Sequence, residues 1–235
     1  MNHEDFVPIY LKGEGVEIGA YSRPIPGIKP IYVDRYAEFA GVETRAEYYG
    51  DVCELPFYDS SLDYVASSHV LEHAANPLAG LEEWFRVTKH GGIIYTVIPD
   101  KRKTFDHPRE LTTVAHMLED YRNSMTMADE THLDEFSYGV DWKEFSPGSD
   151  PADEQKERAE YAAKARKKLA RVGEVNIHFH TFQSETGKEL FEAGNRAHIW
   201  PGRLEILEIE EDFPTNGDQL GFLIIARVLK NRGPR

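Results

Sequence analysis

The first residues that could do chemistry end two short apolar runs near the amino terminus. Gly19 ends the run that starts at Val16, and Asp34 ends the run that starts at Ile31. A glycine at a strand end lets a ligand approach the backbone closely, and an acid at the end of the next strand can accept hydrogen bonds from two ribose hydroxyls. The connecting loop lacks a full G-x-G-x-x-G pattern, so an ordinary turn with a surface aspartate is an equally good interpretation.

A second candidate group begins at Asp51, which precedes the small apolar residues Val52 and Cys53. A carboxylate at a loop edge can accept a hydrogen bond from an adenine amino group, while backbone amides meet the ring nitrogens. Cys53 is the single cysteine of the chain. We expect it to be a small buried residue rather than a nucleophile, because the sequence fixes no base beside it.

A third group is the run His69-Val70-Leu71-Glu72-His73, which has the H-x-x-E-H spacing of inverzincin zinc ligands. On a helix the two imidazoles would share a face and could bind one metal ion, while Glu72 activates water. The run follows a buried-looking strand, and no distant carboxylate stands out as a third ligand. A zinc hydrolase that uses His69, Glu72 and His73 is therefore an alternative, and we expect no metal site.

A fourth group comes later in the chain. His178 and His180 alternate along the run from Ile177 to Phe182, which could be a strand or a loop. On a strand their side chains would share a face. Two partly buried histidines bonded to the backbone are the more common arrangement, but we retain both as substrate-binding candidates. Tyr138 is a third candidate, whose alternative place is an aromatic core around Trp142.

The elements that must position these residues alternate from Gly15 to Pro99. Short β-branched or aromatic runs are separated by stretches of helical period, which is typical of a parallel sheet with crossover helices. A helix is predicted to begin at Pro77 and to stop at Gly91-Gly92. The predicted strands are Val16–Gly19, Ile31–Asp34, Asp63–Ser67, Ile93–Ile98, Leu204–Glu211 and Gly221–Leu229.

The last two strands are joined through Asn216-Gly217, which marks a tight reversal and predicts an antiparallel pair. A helix is also predicted from Ser184 to Ala193, with Ser184 as its N-cap. The pattern predicts an α/β fold, Rossmann-like and doubly wound, with a mostly parallel sheet and an antiparallel C-terminal hairpin.

From Lys101 to Asn176 the alternation disappears. A parallel-strand connection does not need so many residues, so we interpret residues 101–176 as a helical cap, or lid, inserted over the ligand site of a single domain, residues 1–235. Within it, Asp153 to Arg171 is rich in Ala, Glu, Lys and Arg. A solvated amphipathic helix is the favoured interpretation of that stretch, ahead of a binding role for its basic residues.

Composition excludes several classes of function. The 235 residues include 27 basic and 41 acidic side chains, and the net charge of −14 repels phosphate backbones unless the basic residues form a patch. A 40% apolar content can build a core, and one cysteine excludes an intrachain disulfide. No apolar run is long enough to cross a bilayer, and the first residues do not resemble a secretory signal. We expect a cytoplasmic monomer or homodimer that binds neither nucleic acid nor membrane.

Several of these motifs together resemble a known family. They are Asp51, Leu55-Pro56-Phe57, Asp63-Tyr64-Val65, Ser68-His69-Val70-Leu71-Glu72-His73, Arg86-Val87-Thr88-Lys89, Gly91-Gly92 and Pro99. This string resembles the class I S-adenosylmethionine-dependent methyltransferases of the type 11 group. The resemblance covers roughly residues 13–107. It implies a methyltransferase of the EC 2.1.1 class with S-adenosyl-L-methionine as its cofactor.

The resemblance implies a role for each cofactor-site residue. Glu17 and Gly19 correspond to the first-strand motif that meets the methionine part of the cofactor, and Ala20, which follows directly, is a further cofactor-binding candidate. The loop from Ala20 to Pro26 departs from the Gly-rich turn that is common in the family, so Arg23 becomes the candidate that pairs with the cofactor's carboxylate.

The same resemblance assigns the nucleoside contacts. Asp34 corresponds to the ribose ligand, and Asp51 and Val52, with Cys53 nearby, match the turn that contacts adenine. The residues that close the next strand beside the sulfonium are Ser68 and His69.

Methyl transfer from a sulfonium depends mainly on alignment, and a base is needed only where the acceptor must lose a proton. His73 and Asp100 are the predicted catalytic residues, because ligands gather at the carboxyl ends of parallel strands. Each has a structural alternative, since His73 can cap its helix and Asp100 can pair with Lys101 or Arg102. The acceptor that we expect is a small molecule methylated on oxygen or nitrogen.

Two further functions remain open at this point. The same fold could direct a nucleophile to another carbon of the sulfonium and release methylthioadenosine. The protein could also bind the cofactor without catalysis, and the cap would then serve as an interface.

Overall fold

The structure is a computed structural model that describes residues 1–39, 41–215 and 220–231. Its strands, in chain order, are β1 (Gly15–Ile18), β2 (Ile31–Asp34), β3 (Glu38–Phe39), β4 (Val42–Glu43), β5 (Tyr48–Tyr49), β6 (Leu62–Ser68), β7 (Thr88–Pro99), β8 (Gly202–Phe213) and β9 (Gly221–Lys230). Seven of them form one sheet in the order β5-β2-β1-β6-β7-β9-β8. The pairs among β5, β2, β1, β6 and β7 are parallel, whereas β9 is antiparallel to both β7 and β8.

The helices are α1 (His3–Tyr10), α2 (Pro77–Val87), α3 (Val114–Arg122), α4 (Leu133–Gly139), α5 (Trp142–Phe145), α6 (Glu154–Val172) and α7 (Ser184–Arg196). Two single turns of 3-10 helix cover Leu71–His73 and Lys101–Lys103. Within the described part of the chain, no helix combines the length and apolar character needed to cross a membrane.

This arrangement confirms the predicted fold class, a Rossmann-like, mostly parallel sheet with an antiparallel C-terminal pair. The predicted strands all form, and α7 begins at Ser184 as expected, although Gln183 rather than Ser184 occupies the N-cap position. The reversal predicted at Asn216-Gly217 lies outside the described residues. The run from Ile177 to Phe182 is a loop with one bridge, from Phe182 to Asp100, so its two histidines do not share a strand face.

Helix α2 begins where the sequence predicts, because the Asn76 side chain accepts a hydrogen bond from the amide of Ala79 at 3.0 Å. Its end was predicted wrongly. The helix stops at Val87, where the Thr88 hydroxyl donates to the carbonyl of Trp84 at 2.6 Å and the backbone turns extended. The Gly91-Gly92 pair therefore lies inside β7, at the register shift between β6 and β7.

The two faces of the sheet are covered unequally. Helices α2, α3 and α7 cover one face with the larger core, which contains Trp84, Phe191 and Phe222. On the other face, Phe6 and Val7 of α1 belong to a smaller core. Residues 19–30 connect β1 to β2 without a helix, because Pro24 and Pro26 interrupt any helical run there.

The segment 101–176 is helical, and it has its own apolar core of buried side chains from α4, α5 and the loop after α6. Helix α6 matches the helix predicted from Asp153 to Arg171, and it ends at Gly173 in the left-handed region at φ 78°. Most of α6 is exposed, but Arg158 is buried against the backbone of α4. The amino-terminal α1 was missed, although the Asn2 and Asp5 pair forms a capping box that could have indicated it.

Candidate active site

A cavity of about 720 Å³ opens where β1, β2 and β6 end. Ligands of open parallel sheets gather at this edge. Nine of the ten residues that the resemblance assigns to the cofactor line the cavity: Glu17, Gly19, Ala20, Arg23, Asp34, Asp51, Val52, Ser68 and His69. The structure therefore brings together side chains that the sequence spreads over about fifty positions.

The turn after β1 requires glycine. Gly19 has φ 68°, and a Cβ atom at this position would lie 2.5 Å from Cγ2 of Val70. His69, which follows β6, also has a positive φ, 55°, and its amide donates to the carbonyl of Val97. A non-glycine residue held in this region stores local strain, which is common where a chain is bent around a ligand site.

Glu17 is 1% exposed at the floor of the cavity. Its Oε1 accepts a hydrogen bond from the amide of Ile25 at 2.8 Å, but its buried Oε2 has no hydrogen-bond partner. Burial raises the pKa of Glu17 to about 7. A cationic or hydrogen-bond-donating ligand group at Oε2 would satisfy this carboxylate.

The two nucleoside candidates differ in how they are already bonded. Asp34 is half-buried, which raises the pKa of its carboxyl group, and its Oδ1 accepts from the amide of Tyr36 at 3.0 Å. Asp51 accepts from the amide of Cys53 and forms an ion pair with Arg35. Arg35 also pairs with Glu174 after α6, so it joins the turn at Asp51 to the end of the segment 101–176.

Cys53 is the one assigned cofactor residue that does not line the cavity. Its Sγ lies 3.6 Å from the carbonyl oxygen of Asn76, behind the cavity wall. Burial raises the pKa of the thiol well above its ordinary value, which keeps it protonated.

Histidines and side chains of the segment 101–176 also line the cavity. His73 lies there with its Nδ1 2.7 Å from Oδ1 of Asn176. Because an amide oxygen can only accept, Nδ1 carries the hydrogen and Nε2 keeps its lone pair. Burial lowers the pKa of His73 to about 3, so its imidazole is neutral at physiological pH.

His178 faces His73, and their ring centroids are 4.5 Å apart. Its Nδ1 lies 2.6 Å from Oδ2 of Asp106, whose other oxygen accepts from Arg109 at 2.7 Å. Burial works against ionisation of Asp106, but the bond to His178 and the charge of Arg109 outweigh it and lower the pKa of Asp106. The sequence analysis assigned no role to Asp106. Its partner His178 lies 72 residues away, so no local pattern connects the two.

Glu72 lies between these histidines, with both side-chain oxygens buried and without hydrogen-bond partners. Burial raises its pKa to about 7. Its Oε1 is 3.9 Å from Nδ1 of His69 and 3.8 Å from Nε2 of His73. The zinc-ligand interpretation assumed a helical face, and this assumption was wrong, because His69 lies outside the 3-10 turn Leu71–His73. The metal-capable group at this place is Glu72, His73 and His178.

Besides Cys53, three predicted residues do not line the cavity. Asp100 is buried and accepts from Nε of Arg102 at 3.0 Å, which is its structural alternative. His180 is fully buried, and its two ring nitrogens contact the carbonyl oxygen of Ala74 and the carboxylate of Asp120. Tyr138 is 53% exposed on α4. Lining residues that sequence reasoning missed include His3, Tyr21, Arg35, Tyr36, Phe39, Phe105, Met127 and Asn176.

The sheet order defines a Rossmann-like fold. The family model described as a methyltransferase domain matches residues 31–96. A crystal structure of an S-adenosylmethionine-dependent methyltransferase from Methanosarcina mazei is similar over 98% of this chain and 100% of that chain, with 19% identity and a TM-score of 0.50. The family model matches part of the chain and the solved structure shares its fold, so these findings bear out the resemblance to class I S-adenosylmethionine-dependent methyltransferases as a similarity.

Two further solved structures are similar at lower TM-scores. One is a methyltransferase in complex with the Trm112 activator of Haloferax volcanii (14% identity, 99% of this chain, 89% of that chain, TM-score 0.48). The other is a possible histamine N-methyltransferase from Thermotoga maritima (16% identity, 96% of this chain, 87% of that chain, TM-score 0.48). No curated protein matches the sequence.

Proposed function

We propose that this chain transfers the methyl group of S-adenosylmethionine to an oxygen or nitrogen atom of a small molecule. The observation that supports the proposal is one cavity lined by two groups of residues. One group is the assigned cofactor residues, and the other is His73 and His178 with side chains of the segment 101–176. A volume of about 720 Å³ is in the range of small-molecule sites.

The residues that line the cavity include a set that fits the cofactor. Asp34 is the proposed ribose ligand, and Asp51 and Val52 the proposed adenine contacts. Arg23 can pair with the carboxylate of the methionine part, and the unpartnered Oε2 of Glu17 can accept from its ammonium group. When bound, S-adenosylmethionine supplies an activated methyl group whose leaving group is neutral.

His178 is the proposed base for an acceptor that must lose a proton. Because the Asp106 carboxylate accepts at Nδ1, the Nε2 atom of His178 keeps its lone pair. A carboxylate that orients an imidazole and stabilises its protonated form is the arrangement used to activate hydroxyl nucleophiles. Burial lowers the pKa of His73, which was predicted as catalytic, to about 3, and we assign it the orientation of the acceptor.

The inserted segment is the proposed acceptor-selecting cap. It contributes Phe105, Met127 and Asn176 to the cavity lining. Two apolar side chains beside an amide favour an acceptor with an apolar body and one polar group. A cytoplasmic location and a monomeric or homodimeric state complete the proposal, and the single cysteine is compatible with a reducing compartment.

The direct test is product analysis. Purified protein is incubated with S-adenosylmethionine and a library of small alcohols, phenols and amines, and the products are identified by mass spectrometry. Adenosylhomocysteine together with an acceptor that has gained a methyl group is the expected result. Methylthioadenosine without a methylated acceptor would establish the alternative transferase, and binding without turnover would indicate a noncatalytic cofactor-binding protein.

A second test examines the proposed base. His178→Asn should lower kcat about 10²- to 10⁴-fold, the usual contribution of a general base, and should leave the dissociation constant of S-adenosylmethionine within about twofold. His107→Asn is the control, because His107 pairs with Asp141 outside the cavity lining. An unchanged kcat in His178→Asn would remove His178 from the reaction.

A further inference from the structure

A second polar cluster lies behind the cavity. It consists of His116 and Asp120 on α3, His132 directly before α4, and His180 in the loop before α7. None of the four side chains lines the cavity. We propose that they bind one zinc ion that ties the inserted segment to the sheet domain.

The ligand atoms have the spacing of a four-coordinate site. Nε2 of His116 lies 2.9 Å from Nε2 of His132 and 3.3 Å from Oδ2 of Asp120. The same Oδ2 lies 3.0 Å from Nε2 of His180 and 3.9 Å from Nε2 of His132. Ligand atoms at about 2.0–2.1 Å from a tetrahedral zinc ion lie about 3.3 Å from one another. The four distances therefore surround a position that zinc would occupy.

The hydrogen-bond partners of His180 support the same conclusion. Its Nδ1 lies 3.0 Å from the carbonyl oxygen of Ala74, which can only accept, so Nδ1 carries the hydrogen. Its Nε2 faces Oδ2 of Asp120 at 3.0 Å, a distance that requires a proton or a metal ion between the two atoms. A carbonyl that holds the outer nitrogen of a histidine is a common second-shell contact of metal ligands.

The burial of Asp120 is a further argument. Its side chain is 3% exposed, and those of His132 and His180 are 7% and 0% exposed. Among the described residues, the ion-pair partners of Asp120 are these histidines and His116, and no lysine or arginine pairs with it. A buried carboxylate without a lysine or arginine partner is costly unless another cation compensates its charge.

The types of ligand atom indicate which metal ion the site would bind. Three imidazoles and one carboxylate in a four-coordinate arrangement suit zinc, whereas calcium and magnesium require more oxygen ligands. Four protein ligands leave no open position, so the role is structural. His180 is two residues from His178, and both Phe179 and His180 donate their amides to the carbonyl of Glu72. The ion would thereby hold the loop that carries the proposed base, although the zinc site itself does not depend on the proposed function.

The test measures zinc content and affinity. Protein purified without chelators should retain about one zinc per chain by plasma mass spectrometry. His116→Gln is the variant to use, because His116 is 44% exposed and its loss should spare the fold. Competition with a chromophoric chelator should show zinc affinity lowered at least about tenfold in this variant. Circular dichroism checks that the variant is folded.

Two controls separate this site from the other metal-capable groups. His107→Gln changes a histidine of the same 44% exposure in the surface group with Asp141 and Glu144. His178→Gln changes the group in the cavity with Glu72 and His73. Both variants should keep wild-type zinc affinity. Wild-type protein that retains no zinc after equilibration with the ion, or a loss of affinity in His107→Gln or His178→Gln but not in His116→Gln, would overturn the proposal.

Discussion

Buried carboxyl groups dominate the electrostatics of the cavity. Glu17 has one side-chain oxygen without a partner and Glu72 has two, and burial raises the pKa of each to about 7. A folded-state pKa above the unfolded value means that the folded protein binds the proton more tightly. Each group therefore destabilises the fold as pH rises from about 4.5 to about 7.

The first prediction concerns Glu72→Gln, which removes this ionisation while keeping the shape. The free energy of unfolding of the variant minus that of the wild type should increase between pH 4.5 and pH 8. A change in pKa from 4.5 to about 7 corresponds to about 3 kcal/mol, which urea unfolding at each pH would measure. Glu160→Gln, on the exposed side of α6, is the control and should show a flat difference. A flat difference for Glu72→Gln would contradict the prediction.

The second prediction concerns the ribose contact. Asp34→Ala should weaken S-adenosylmethionine binding by about 1.5–3 kcal/mol, the scale for losing charge-assisted hydrogen bonds. Isothermal titration calorimetry measures the dissociation constant. Asp59→Ala is the control, because Asp59 pairs with Arg86 away from the cavity lining. If Asp34→Ala bound with wild-type affinity, the ribose contact would have to lie elsewhere.

At the scale of elements, the composition of α6 predicts the behaviour of most of its basic residues but not of all of them. Its exposed basic residues behave as expected for a solvated helix, and Arg166 pairs with Asp134 and Glu130 at the surface. Arg158 does not follow this pattern. Its guanidinium donates to the carbonyls of Ser137 and Val140 at 3.0 and 2.8 Å and lies over the ring of Trp142. Arg158 therefore satisfies two carbonyl groups at the carboxyl end of α4.

The third prediction compares two arginines of this helix. Arg158→Met should lower the free energy of unfolding by about 2–4 kcal/mol, because two buried carbonyls lose their donors and an ion pair is broken. Arg166→Met should change it by less than about 1 kcal/mol, as is usual for exposed ion pairs. Urea unfolding of both variants provides the comparison. Equal effects would show that Arg158 contributes no more than a surface charge.

At the scale of the whole molecule, the net charge of −14 acts on charged ligands before they reach the cavity. S-adenosylmethionine has one net positive charge at neutral pH, because its sulfonium and ammonium groups exceed its carboxylate. Adenosylhomocysteine lacks the sulfonium and is neutral overall. The field of an acidic protein therefore attracts the cofactor more strongly than the product.

The fourth prediction follows from this difference in charge. The association rate constant of S-adenosylmethionine should fall about threefold between about 20 mM and about 200 mM salt, because the Debye length shortens. That of adenosylhomocysteine should stay nearly constant, which makes it the matched control. Stopped-flow fluorescence measures both rates. The same salt dependence for both ligands would exclude steering by net charge.

The sequence by itself determined the sheet and its ligand edge. The strands that end at Ile18, Asp34 and Ser68 are local runs of apolar residues, and their carboxyl ends meet because parallel strands align in one direction. Helix α2 was predicted from Asn76 and Pro77 for a similar reason, since capping depends on neighbours a few residues apart. Nine cofactor candidates could therefore be placed without knowledge of the packing.

Only the tertiary structure decided how the remaining polar groups pair. Asp106 meets His178 across 72 residues, and Asp120 meets His180 across 60, through loops whose paths no local pattern specifies. Asp100 lies at the expected strand end, but its carboxylate turns to Arg102. Local periodicity sets the direction of a strand, whereas the partner of a side chain depends on how distant segments pack. The fold class could thus be predicted from the sequence, whereas the two histidine clusters could be identified only from the tertiary structure.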